Sequence, residues 1–479
     1  MTAFLERLAG RTRKIRSVLP ASFRYGPRYR GQLEFLARSQ WARPREHAAY
    51  QLRQLQGILR HAFAHVPYYR DLARQLGVRA EDFHRLEDLR QLPLLTREMV
   101  QERQAELTSE KVPEYARQRR YTGGTGGRPL GFVVEAGRTD PVERAFVQRC
   151  WSWFGLRFED PGVLVRGYAL APEVLHRGEF WQRWYPERRW FGFSSYHMTP
   201  ENLPAYARRI QEIDPVMISC VASDLDPLAR YWLDHGLPPL PRLAAIHQSG
   251  MVMFPDQRDR FEKAFGARTF CTYGQSECAV LASECECSAR YHVFPEYGVT
   301  EILRQDGTPA APGEVGELVG TPFHNRALPF IRYRTGDLAA WSPRPCHCGR
   351  AFPILDRVEG RGQYVVVARD GLVVTLNSIL YGSHLPELKA IRRIQVRQDA
   401  AGELAMDVVP ADDFTSDVRA SFLAALDRVV DGKIRFTLNL VQDIPTPPGQ
   451  KFKVLVQNLD VSWWSGYRSQ RVRSQPVRA

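Results

Sequence analysis

The chain has 479 residues, of which 44% are hydrophobic and 25% charged, with a formal net charge of +13. That length exceeds one small core, so two to four domains are expected, and the composition is that of a folded chain rather than a disordered one. No stretch approaches the roughly 20 apolar residues of a membrane span, and Arg11, Arg13, Lys14 and Arg16 follow too closely on Phe4, Leu5 and Leu8 for a secretory signal, so a cytoplasmic protein is expected.

Both ends are basic, Arg7 to Arg16 and then Arg468, Arg471, Arg473 and Arg478. A solvated surface is the simplest reading, and peripheral contact with an anionic membrane surface is the functional one. No reader module for bases is recognisable, so no nucleic-acid partner is expected.

In chain order, residues 30 to 75 read as helical, with Leu52, Leu55, Ile58, Leu59 and Ala62 on one face and Pro67 ending the run. Leu92-Pro93-Leu94-Leu95 leads into Thr96 and Glu98, the pattern of a capped helix start. Val163 to Val165 and Val216 to Ile218 read as buried strands, and Pro204 to Ile213 and Asp224 to His235 as helices between strands. This alternation predicts α/β layers with several parallel strands. Strand-like segments follow at Thr300 to Leu303, Gly316 to Gly320 and Leu338 to Trp341. After Gly360 the character changes to a small α+β unit: strands at Tyr364 to Val367, Val373 to Leu376 and Leu404 to Val409, and a helix at Val418 to Val430. The expected organisation is a helical N-terminal region, 1–110, packed on a large domain completed by 111–359, then a small C-terminal domain, 360–479, with a basic tail.

Four segments carry chemistry. Thr122-Gly123-Gly124-Thr125-Gly126-Gly127-Arg128-Pro129 can fold tightly round an anion and offer amides and hydroxyls to phosphate oxygens. It is neither a Walker loop nor a Rossmann fingerprint. Tyr273-Gly274-Gln275-Ser276-Glu277 supplies a carboxylate of the kind that holds magnesium beside phosphate oxygens. Arg332-Tyr333-Arg334-Thr335-Gly336-Asp337 supplies a carboxylate able to accept hydrogen bonds from two hydroxyls. Pro447-Pro448-Gly449-Gln450-Lys451 places a lysine in a loop able to swing, in a chain that otherwise almost always uses arginine. A fifth group, Cys285, Cys287 and His292 followed by Cys346-His347-Cys348, has the spacing of a tetrahedral structural zinc site. His292, Cys346, Cys348 and one of Cys285 or Cys287 are the expected ligands.

Together these segments resemble the adenylate-forming ligases of the phenylacetate–CoA ligase and CapK-like group, over most of the chain from near Tyr50 to Lys451. The resemblance implies a large α/β domain with a mobile small lid. It implies a phosphate loop at Thr122 to Pro129, with Gly123 and Gly126 where hydroxyl residues are usual. Tyr273 and Gly274 are then expected beside adenine, with Gln248-Ser249-Gly250 on its other side. Glu277 is expected on Mg²⁺, Asp337 on the ribose with Arg334 nearby, Gly360-Arg361 at the hinge with Arg361 approaching the nucleotide, and Lys451 as the catalytic lysine, Lys453 being the runner-up. Gln363 stands where an acidic residue is frequent. Some relatives carry zinc between the two cysteine segments. The implied activity is activation of a small carboxylic acid by ATP as an acyl-adenylate, then transfer to coenzyme A or to an amine. The competing reading is a non-catalytic scaffold that keeps the fold. Trp190 to His197 is the expected wall of the acyl pocket.

Overall fold

The computed structural model describes residues 21–459 apart from 123–129, 169, 186–189, 251–252, 254, 305, 361–364, 372, 381–384 and 445–454. Gly123 to Gly127, Arg361, Lys451 and Lys453 therefore lie outside the described residues.

The N-terminal region is helical, with main helices Gly26–Ser39, Pro44–His65 and Pro67–Leu76. The run carrying Leu55 to Ala62 closes at His65, just ahead of Pro67. Pro67 occupies the first position of a new helix, where its missing N–H costs nothing and its fixed φ suits the turn. Leu55, Ile58, Leu59 and Ala62 are buried in a core shared with Leu130, Phe132, Val299, Phe330 and Tyr333, so these helices pack on the large domain.

The strands are β1 (Arg117–Tyr121), β2 (Gly131–Glu135), β3 (Gly162–Arg166), β4 (Trp181–Tyr185), β5 (Trp190–Ser194), β6 (Met217–Cys220), β7 (Ala245–Ser249), β8 (Arg268–Gly274), β9 (Leu281–Cys285), β10 (Ser288–Val293), β11 (Gly298–Leu303), β12 (Val315–Pro322), β13 (Tyr333–Trp341) and β14 (Ile354–Gly360). After them come β15 (Val365–Val367), β16 (Val373–Thr375), β17 (Ile391–Ala400), β18 (Glu403–Pro410), β19 (Arg435–Leu440) and β20 (Leu455–Gln457). Twelve form one sheet, ordered β11-β12-β13-β14-β10-β9-β8-β7-β6-β3-β5-β4. Its centre, β8-β7-β6-β3-β5, is parallel. The side from β8 to β11 is antiparallel. Parallel strands are covered on both faces and read as continuous apolar runs, which is why every residue of β6 is buried. Helices Leu203–Ile213, Ala222–Asp234 and Pro255–Phe265 supply one cover. Helix Ala136–Ser152 contributes to the other.

The sheet also curls. A flat sheet would hold β8 and β13 roughly 19 Å apart, because three strands lie between them. Their side chains nevertheless hydrogen-bond. Gly320 of β12 allows this closure: a Cβ there would lie 2.4 Å from the Ala279 carbonyl oxygen, just beyond β8. A separate four-stranded sheet, β19-β18-β17-β20, follows, with helix Ser416–Val430 crossing between parallel β18 and β19. Its core takes in Tyr196 from the large domain.

Candidate active site

The parallel strands end on one edge of the sheet, where open α/β folds bind ligands. Arg166 ends β3, Ser249 ends β7, and Tyr273-Gly274 ends β8. Gly250 follows with φ +93°, a turn conformation that favours glycine. The curl brings β13 over this edge.

Two hydrogen bonds tie β13 to β8 and its exit. The Tyr273 hydroxyl donates to Asp337 Oδ2 at 2.8 Å and accepts from Gln275 Nε2 at 2.5 Å. Four residues along each segment, the Tyr333 hydroxyl donates to Glu277 Oε1 at 3.0 Å. Burial, with the Asp337 carboxylate adding to it, pushes the Tyr273 phenol well above its ordinary pKa, so it stays a donor. Asp337 reaches inward because β13 bulges: Glu317 faces Leu338 and Val319 faces Arg334, leaving Thr335-Gly336-Asp337 against the single residue Leu318. Gly336 takes φ +76° there. Thr335 fixes the bulge, donating to the Leu318 carbonyl at 2.9 Å and accepting the Asp337 amide at 3.1 Å.

Thr122 lies at the root of the Gly-rich loop. Its amide donates to the Leu130 carbonyl at 3.0 Å, and the Leu130 amide returns a bond to Thr122 Oγ1 at 3.1 Å. Thr122 and Leu130 are thereby held beside each other. Arg97 then joins this root to Glu277: Nη2 donates to Thr122 Oγ1 at 3.2 Å, and Nη1 lies 3.9 Å from Glu277 Oε1. Leu95 pairs with Tyr333 in a parallel bridge, and this places Thr96 and Arg97 beside the Tyr333–Glu277 bond. Thr96 caps the short helix Arg97–Glu102. Cys278, next to Glu277, adopts φ +56°, and its Sγ accepts from Arg120 Nη1 at 3.5 Å, anchoring β1 to the same turn.

A second cluster lies where β9, β10 and the segment before β14 meet. Cys285, His292, Cys346 and Cys348 present ligand atoms all within 4.8 Å of one another. Cys285 Sγ is 3.7 Å from Cys346 Sγ, and Cys348 Sγ is 3.3 Å from His292 Nε2. A tetrahedron built on zinc–sulfur bonds has an edge of about 3.8 Å, so the donor set fits that ion. Cys287 is exposed and outside the cluster.

No protein-family model matches the chain. It is 25% identical over 419 residues to the phenylacetate-coenzyme A ligase of Thermus thermophilus, an alignment covering 85% of this chain and 89% of that one. It is 29% identical over 338 residues to the Escherichia coli enzyme of the same name, covering 67% and 72%. It is 22% identical over 376 residues to Protein CapK of Staphylococcus aureus, covering 78% and 81%. The chain is a homologue of the phenylacetate-coenzyme A ligase and CapK group. Its fold is that of 2-hydroxyisobutyryl-CoA ligase, solved with 2-HIB-AMP and CoA in the thioesterification state, at TM-score 0.57 and 20% identity over 88% of this chain and 91% of that one.

In this phenylacetate-CoA ligase homologue, the described residues Thr122, Tyr273, Gly274, Glu277 and Asp337 gather at one place. Ser249 and Gly250 stand on the neighbouring strand end. Arg334 turns away, in a half-exposed ion pair with Glu317. The aromatic rings of Trp190 to His197 do not form one wall. Trp190 stacks on Trp151, Phe193 packs with the helices beside β6, and Tyr196 enters the C-terminal core. Sequence reasoning missed Arg97. A cation in the first turn of a helix opposes the helix dipole, and that conflict was the available signal.

Proposed function

We propose that the chain is an AMP-forming carboxylate ligase. It activates a small carboxylic acid with ATP, releases pyrophosphate, and passes the acyl group to coenzyme A. The carrying observation is the pair of cross-links Tyr273–Asp337 and Tyr333–Glu277, joined through Arg97 to the root of the Gly-rich loop.

In this reading Asp337 receives the two ribose hydroxyls, held at the bulge by Thr335 and Tyr273. Tyr273 and Gly274 flank the adenine, with Ser249 and Gly250 opposite. Thr122 and the loop Gly123 to Gly127 surround the phosphates. Glu277 is the carboxylate that would hold Mg²⁺, which when bound offsets phosphate charge. Arg97 meets the same phosphates from the helix start. Lys451 and Arg361 complete the site from the C-terminal domain, Lys451 stabilising charge that grows on the α-phosphoryl oxygens as the carboxylate attacks. Residues 1–110 and 111–359 form the large lobe and 360–479 the lid. Cys285, His292, Cys346 and Cys348 would hold a structural zinc that ties β9 and β10 to the segment before β14.

Coenzyme A is preferred over an amine as acceptor because curated relatives covering most of the chain are CoA ligases. Incubation with ATP, Mg²⁺, CoA and a panel of acids, followed by mass spectrometry, tests this. Equal amounts of AMP and acyl-CoA are expected; products built on an amine, or none, overturn it.

A further inference from the structure

Arg166 has no role in the reading above, yet it ends β3 on the same edge of the sheet. Register places it level with Ser249 and Thr272 across β6 and β7. Its Nη2 donates to Ser249 Oγ at 2.7 Å. A guanidinium carries five N–H donors. Among the described residues this is the one hydrogen bond its side chain makes, and that side chain retains partial solvent access. Asp224 is the opposing charge near it, buried and accepting the Gly167 amide at 3.0 Å. Burial presses the Arg166 guanidinium below its ordinary range, with Asp224 partly offsetting this. His247 is also near enough to feel its charge, and is neutral and hydrogen-bonded to Ser219 and Thr272.

Asp224 offsets this charge only in part, and the donors left over, still open to solvent, can take a second anion. Guanidinium and carboxylate match as a two-pronged pair. Reaching from β3 to Ser249 puts the charge beside the strand end next to β8. An acid presented for activation at the Tyr273–Glu277 end of β8 meets Arg166 with its far end.

We propose that Arg166 makes this site selective for carboxylic acids bearing a second anionic group, a dicarboxylate being the simplest, with the guanidinium holding the group that is not activated. The proposal rests on the ligase reading, and its test separates the two. Acid-dependent pyrophosphate exchange into ATP is compared for matched pairs: adipate with hexanoate, and 4-carboxyphenylacetate with phenylacetate. Isothermal titration of adipate onto the full chain runs in parallel, with wild type, Arg166→Gln and Arg166→Lys. The dicarboxylates should be favoured by about 30-fold or more in kcat/KM, the scale of a charge-assisted contact. Arg166→Gln should abolish that preference, the diacids falling to the level of their neutral partners, and Arg166→Lys should keep part of it. Should Arg166→Gln fail to fold, the wild-type preference and the lysine variant decide. Neutral acids used as well as their diacid partners, or a preference that survives Arg166→Gln, overturns the Arg166 proposal and leaves the ligase reading standing. If no acid supports exchange, the ligase reading falls. The titration still decides Arg166: adipate binding lost in Arg166→Gln supports it, and absent or unchanged binding refutes it.

Discussion

The Tyr333 hydroxyl donates to the Glu277 carboxylate at 3.0 Å, across two segments that the curl of a twelve-stranded sheet brings together. Glu277 is buried, and this donor together with Arg97 faces its Oε1. Tyr333→Phe removes the donor and leaves a buried carboxylate oxygen poorly satisfied. A loss of about 1–3 kcal/mol in stability is expected, with a higher Mg²⁺ requirement for activity. Chemical denaturation and a magnesium titration check both. Arg97→Ala should weaken ATP binding more than Tyr333→Phe does, because it also releases Thr122.

Asp337→Ala should raise the KM for ATP by about 100-fold, the scale of two lost charge-assisted hydrogen bonds. Tyr273→Phe keeps the aromatic ring and removes a single donor to Asp337, so its effect should be smaller, about 10-fold. Steady-state kinetics on the two variants gives the order.

Metal analysis of the purified chain should find about one zinc. Cys346→Ser and Cys285→Ser should lose it and unfold at lower temperature, whereas Cys287→Ser should keep it, because Cys287 is exposed outside the cluster. Equal loss in all three would contradict the geometry.

Arg149 and Glu296 form an ion pair with almost no solvent access, 3.0 Å apart, with the guanidinium 3.9 Å from the Phe294 ring centre. Ser39 also donates to Glu296, so the pair fastens helix Gly26–Ser39 to the large domain. Glu296→Ala strands a buried cation and should cost about 3–5 kcal/mol, measurable by urea unfolding.

Burial, with Arg166 adding, lowers the His247 pKa to about 3. In the unfolded chain a histidine titrates near 6.5. The unfolded state therefore binds the extra proton first as pH falls. His247 thus favours folding fully above pH about 6.5, and this contribution is lost progressively as pH falls toward 3. His247→Gln should flatten the slope of melting temperature against pH between 6.5 and 4.

The family resemblance singled out Tyr273, Glu277 and Asp337, and the curl of the sheet brings the segments that carry them together. Arg97 was not legible. Its partners Thr122 and Glu277 lie far along the chain and meet it through the Leu95–Tyr333 bridge, which leaves no periodic trace. The choice between Cys285 and Cys287 was likewise hidden: β9 ends at Cys285, so strand alternation stops where it was needed. The parallel centre was readable from its apolar runs, while the curl depends on a close approach at Gly320 that composition does not reveal. Trp190 to Tyr196 read as one aromatic stretch, but strand alternation and the turn after β5 send its rings to separate cores.

Acid-dependent exchange of labelled pyrophosphate into ATP tests the central claim most directly. The account predicts exchange with at least one small acid in a broad panel, reduced by orders of magnitude in Asp337→Ala and in Lys451→Ala. Exchange absent across the panel, or undiminished in both variants, would contradict it.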